Sequence, residues 1–98
     1  MNKYYPYKSD KPNKKYYIIT NDNKKVYFGQ ASASDFTIHK DEARRQRYVA
    51  RHEKKESKFW NDPNTASYWA LKYLWSYPSK QEAYKQIETD LKKRRYIN

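Results

Sequence analysis

Ninety-eight residues give room for one domain around one core, and 22 Lys and Arg against 11 Asp and Glu leave a formal charge of +11, enough to attract polyanions over several ångströms at moderate salt. The absence of cysteine excludes a disulfide framework and a thiolate metal site. No apolar run approaches the ~18 residues of a membrane span, and the opening MNKYYPYKSDKPNKK lacks the apolar stretch of a signal peptide, so the chain is expected to be neither secreted nor membrane-bound.

Only 37% of the residues are hydrophobic, but 18% are aromatic, so the core is expected to be built from rings. A disordered basic tail would combine this charge with few aromatics, and the chain is therefore read as folded. Residues 1–14, polar, basic and broken by Pro6 and Pro12, read as a basic flexible arm ahead of a single domain over 15–98. From Lys15, KYYIIT and KVYFG are β-rich runs separated by the turn residues Asn21–Lys24, which predicts a β-hairpin. Gly29, the one glycine, falls at the end of the second strand and marks a backbone conformation that other residues tolerate poorly. QASAS at 30–34 is a loop, and DFTIHK at 35–40 is a candidate third short strand.

Asp41, followed by Glu42, is a reasonable N-cap for a first helix over about 42–57. Asp62-Pro63 repeats a start signal for a second helix running to about Trp75, and Pro78 separates it from the next element. Ser79 and Glu82 form a capping box that opens a third helix, with Ala83, Ile87 and Leu91 on one face. Residues 59–79 carry seven aromatics and one charge of each sign, whereas 40–58 carry eight positive and four negative charges, so the second helix is expected to be the buried one. The predicted fold is α+β: an N-terminal β-hairpin, three short antiparallel strands if 35–40 pairs, packed on three helices.

On the first helix Arg44, Arg47, Arg51, Lys55 and Lys58 recur at intervals of three and four, which at 100° per residue confines them to a stripe about 80° wide. Such a ridge can lie along a phosphate backbone, or it can be a solvated helix face. The opposite face carries Ala43, Gln46, Val49, Ala50 and Glu53, which predicts weak packing. Tyr48, flanked by these cations, is the candidate for stacking on an unpaired base, while Phe59, Trp60, Trp69 and Trp75 are expected in the core. Lys92–Arg95 is read as a helix end whose cations complement the dipole and pair with Glu88 and Asp90, although a localisation signal has the same composition. His39 and His52 lack the short spacing of zinc ligands, and neither a G-x-S-x-G nor a phosphate-cradling glycine loop is present. No catalytic residue, metal or cofactor is therefore expected.

Two resemblances add context. The stretch DFTIHKDEARRQRYVARHEKKE, followed by FWNDPNTA and YLWSYP, resembles a family of small uncharacterised basic proteins encoded by large double-stranded DNA viruses of eukaryotes. The positions that carry it are Ser34 to Asp41, Arg51, His52, Leu74, Trp75 and Pro78, within a covered region of about Lys15 to Leu91. It implies a setting in a viral particle or viral factory. More locally, KYYIITNDNKKVYFGQ looks like the opening hairpin of GIY-YIG nucleases, with Tyr17, Tyr27 and Gly29 at the motif positions. That resemblance implies metal-dependent phosphodiester hydrolysis, with Arg44 or Arg47 and Glu82 or Glu88 as partners. Against it, Lys15 replaces the first motif glycine, and the interval from Gly29 to the arginines is long.

The expected function is non-enzymatic: a viral nucleic-acid-binding or virion-associated structural protein, in the virion or in host cytoplasm. Its partner would be the nucleic-acid phosphate backbone, with neither a membrane nor a small-molecule substrate involved. The alternatives are a minor capsid or cement protein whose basic face meets acidic protein surfaces, and a GIY-YIG-like nuclease.

Overall fold

A computed structural model of the protein describes residues 2–98; Met1, the first residue of the expected arm, lies outside them. Three antiparallel strands, β1 (Tyr7–Lys8), β2 (Lys14–Ile19) and β3 (Lys25–Gln30), form a sheet in that order. The β2–β3 pair is the predicted hairpin, with Tyr16 opposite Phe28 and Tyr17 opposite Tyr27. Its turn closes through Thr20, whose N–H donates to the Lys24 carbonyl at 2.9 Å, while Asn23 takes a positive φ of 65°. Gly29 has φ +77°, and a Cβ there would lie 2.9 Å from Leu74 Cδ1 and 3.3 Å from Lys15 Cβ. Both conformation and space require glycine at this point.

The third strand comes from the segment expected to be an arm. Tyr7 pairs with Tyr17 and Lys8 with Tyr16, and Tyr4 is only 1% exposed. The Tyr4 N–H donates to the Ile19 carbonyl at 2.9 Å, and its hydroxyl donates to Asn64 Oδ1 at 2.6 Å. Pro6 and Pro12 suggest a flexible arm, but a short edge strand tolerates flanking prolines and Tyr4 brings enough apolar area to anchor the segment.

Residues 35–40 form not a strand but the short helix α1 (Phe36–His39). The Asp35 carboxylate accepts from the Thr37 N–H at 3.0 Å as N-cap, and Lys40 closes the turn in the left-handed region at φ 54°. The long first helix follows as α2 (Glu42–Glu56), capped by Asp41, and a 3-10 turn (Ser57–Phe59) continues it.

The second helix starts later than predicted and changes type. Asp62-Pro63 makes a turn in which the Pro63 carbonyl accepts from Trp69 Nε1 at 2.9 Å. Thr65 is the N-cap of α3 (Ala66–Trp69), which passes directly into a six-residue π-helix (Ala70–Trp75). This segment is central as expected, with Trp69 fully buried between the sheet and α4 (Lys80–Lys93). Tyr16, Phe28 and Tyr73 meet at centroid distances of 5.4 to 6.1 Å, and Ala83, Ile87 and Leu91 of α4 complete the core. The Ser79 hydroxyl accepts from the Glu82 N–H at 3.1 Å, as the capping box predicts. At the other end of α4, Arg95 in the left-handed region and a 2.9 Å bond from the Tyr96 N–H to the Leu91 carbonyl stop the helix. No helix among the described residues is long and apolar enough to cross a membrane.

Candidate nucleic-acid interface

Helix α2 docks through a seam that the sequence concealed, formed by Arg45, Tyr48, His52 and Glu56 at intervals of three and four. Tyr48 stacks on Trp75 with centroids 4.2 Å apart and planes 6° from parallel, and His52 lies 4.2 Å from its other side. Arg45 Nε donates to the Trp75 carbonyl at 2.9 Å, its Nη1 binds Glu42 at 2.9 Å, and the guanidinium sits 5.7 Å from the centre of the Phe36 ring. His52 Nδ1 pairs with one Glu56 oxygen, while the other accepts from Ser67 Oγ at 3.0 Å. Ala43, Gln46, Ala50 and Glu53 are solvent-exposed, so the packing face differs from the one expected. A search for aliphatic periodicity cannot find a seam made of a cation, a phenol, an imidazole and a carboxylate. The aromatic Tyr48 four residues before His52 was the available signal.

Tyr48 is 8% exposed, and this burial, with the nearby Glu56 carboxylate, pushes its phenol up to about 12 against a smaller opposing effect of Arg51. Both ring faces are occupied, by Trp75 and by His52, so the side chain singled out for base stacking is a structural anchor instead. Of the four rings expected in the core, Trp69 is buried, Trp60 and Trp75 are half-buried, and Phe59 is 39% exposed.

The cationic ridge runs along the flank next to this seam. Arg44, Arg47, Arg51, Lys55 and Lys58 are all exposed, and none makes an ion pair among the described residues. Arg44 and Arg51 line a groove of about 570 Å³ together with Lys14 and Lys15 at the start of β2, with Tyr48, Leu74 and Trp75 also in its lining. Arg47 and Lys55 stand outside that rim on the same helix, and Lys58 lies in the 3-10 turn with its Nζ 5.1 Å over the Phe59 ring. The π-helix supplies Ala70, Leu74 and Trp75 to the groove floor, a placement common for such irregular helices at functional sites.

One carboxylate in the groove wall is neutralised locally. Lys15 Nζ lies 2.6 Å from Asp35 Oδ2, and Asp35 also accepts from Thr37. Burial alone would raise the Asp35 carboxyl, but these donors outweigh it and hold the group below its ordinary range. Lys14, Arg44 and Arg51 make no ion pair among the described residues, and against them the groove holds one further carboxylate, Glu56, engaged by His52 and Ser67; Lys14 lies in the segment expected to be an arm, so the ridge spacing does not reveal it.

Outside the groove, Lys92 and Arg94 pair with Glu88 and Asp90 as the spacing predicted, at 3.9 and 3.2 Å, and Arg94 also donates to the Asn61 carbonyl. His39 Nδ1 accepts from the Asp41 N–H at 2.9 Å. No group of three or more His, Asp or Glu placed to hold a metal ion occurs among the described residues. Of the residues named through the nuclease resemblance, Gly29 and Arg44 line this groove, whereas Glu82 and Glu88 line a separate depression on α4.

A model of a family of unknown function, DUF5754, matches residues 7–52. That span runs from β1 through the sheet and α1 to His52, and so includes Lys14, Lys15, Asp35, Arg44, Tyr48 and Arg51 but none of the π-helix. No curated protein and no solved structure matches the chain.

Proposed function

We propose that this protein is a non-enzymatic binding protein that engages nucleic-acid phosphates through the α2 ridge and the adjoining groove, in a viral particle or viral factory. The observation that carries the reading is that Arg44, Arg47, Arg51, Lys55 and Lys58 share one exposed flank of α2 and its 3-10 continuation, and none of the five makes an ion pair among the described residues. At ~1.5 Å per residue, Arg44 to Lys55 spans about 16 Å, which matches about five phosphate steps at ~3.4 Å of axis per step on one strand. Lys14, in the lining of the same groove, adds a cation from β2. The viral setting follows from the resemblance of residues 34–41, 51–52 and 74–78 to small basic viral proteins.

The test is charge reversal at two exposed positions that take no part in docking α2. Arg47→Glu with Lys55→Glu is expected to lower affinity for a short DNA duplex by at least tenfold at low salt, with the thermal melt unchanged. A folded wild-type protein with no duplex affinity at low salt, yet with affinity for polyglutamate, would assign the ridge to an acidic capsid surface instead.

A further inference from the structure

The sheet has two aromatic faces, and only one belongs to the core. Tyr16, Ile18 and Phe28 point inward, whereas Tyr7, Tyr17 and Tyr27, one from each strand and in register, line the other face, with the half-buried Tyr7 and Tyr27 flanking a central Tyr17 that is only 8% exposed. Their ring centroids are 5.8 and 5.5 Å apart with tilts of 31° and 42°, and Tyr5 extends the row at 5.0 Å from Tyr7. Two ammonium groups lie over these rings: Lys11 Nζ is 4.3 Å from the centre of Tyr27, and Lys25 Nζ is 4.8 Å from that of Tyr17.

We propose that this outer sheet face is a second nucleic-acid contact, binding single-stranded DNA or RNA by stacking unpaired bases on the accessible rings of Tyr5, Tyr7 and Tyr27 while Lys11 and Lys25 take the flanking phosphates. The ring faces carry the negative side of the aromatic quadrupole, which attracts the ammoniums and repels carboxylates, so an acidic protein surface fits poorly. A base does fit, because every base presents a π-face. When it settles on a ring it displaces the ammonium above, and the flexible lysine stem carries that charge outward to the backbone. Asp10 is the one carboxylate here, and it is occupied by the Tyr27 hydroxyl at 2.6 Å and by Lys25 at 3.7 Å. The contact differs from the α2 ridge in kind, since the ridge offers charge without a free ring and the sheet offers rings with charge around them.

The test measures anisotropy of a labelled oligothymidylate of about ten nucleotides, and of a duplex of equal length, with the full chain. Tyr7→Leu and Tyr27→Leu, which keep apolar cover on the sheet, are each expected to weaken oligothymidylate binding by at least about fivefold and duplex binding by less than twofold. Arg47→Glu with Lys55→Glu is expected to do the reverse. In the unmodified protein, photocrosslinking of an iodouracil-substituted strand is expected to label Tyr5, Tyr7 or Tyr27. The proposal is overturned if the wild type binds the duplex but not oligothymidylate, if both leucine variants keep oligothymidylate affinity, or if crosslinks fall only on residues outside the sheet. Binding to polyglutamate but not to oligothymidylate also overturns it.

Discussion

Two carboxylates, Asp35 and Asp10, each do a local task that can be titrated. Asp35 is 1% exposed, caps α1 and holds Lys15. Asp35→Ala removes a cap and strands a nearly buried ammonium, so a loss of about 3 kcal/mol is expected from urea melts at neutral pH. Because the folded-state carboxyl is held below its ordinary value of 3.8, its contribution is complete above that pH and fades as the pH falls through the lower folded value. The acid limb of the wild-type stability profile should therefore be steeper than that of Asp35→Ala. Asp10 acts on a neighbour: by accepting the Tyr27 hydroxyl it favours the neutral phenol and pushes it up to about 12. In Asp10→Asn an ultraviolet titration should find this tyrosine ionising nearer 10.

At the scale of elements, the docking of α2 decides whether the ridge has a fixed place. Tyr48→Ala breaks the stack on Trp75 and should cost about 3 kcal/mol, whereas Tyr48→Phe, which keeps the stack, should change stability by less than about 1 kcal/mol. Gly29→Ala should cost about 1 to 3 kcal/mol, since it strains the backbone at φ +77° and crowds Leu74. These elements also divide what the sequence makes legible from what it hides. The hairpin, the Ser79 capping box and the Ala83–Ile87–Leu91 stripe follow local rules and are seen where predicted. The strand at Tyr7–Lys8 depends on a partner that no local signal names, and the helix at Phe36–His39 on a cap donated by Asp35. The π-helix at Ala70–Trp75 is announced by no periodicity in the sequence. The ridge was readable because charge spacing survives folding. The groove was not, because Lys14 in its lining comes from a segment expected to be mobile.

The whole molecule places its charge and its rings unevenly. An aromatic core spans the sheet, the central α3–π segment and α4, and paired cations occupy the end of α4. Five cations without an ion pair among the described residues line the flank of α2 and its 3-10 continuation beside the groove, and a tyrosine row with its lysines occupies the far face of the sheet. Such an arrangement suits a protein that meets a polyanion on more than one side. The central claim, phosphate engagement by α2, is tested most directly by the salt dependence of duplex binding. Three to five phosphates neutralised by the ridge predict a log–log slope of about −2.7 to −4.5 for the wild type, falling by about 0.9 with each of Arg44→Gln, Arg47→Gln and Arg51→Gln. A slope that stays the same in all three variants would contradict it.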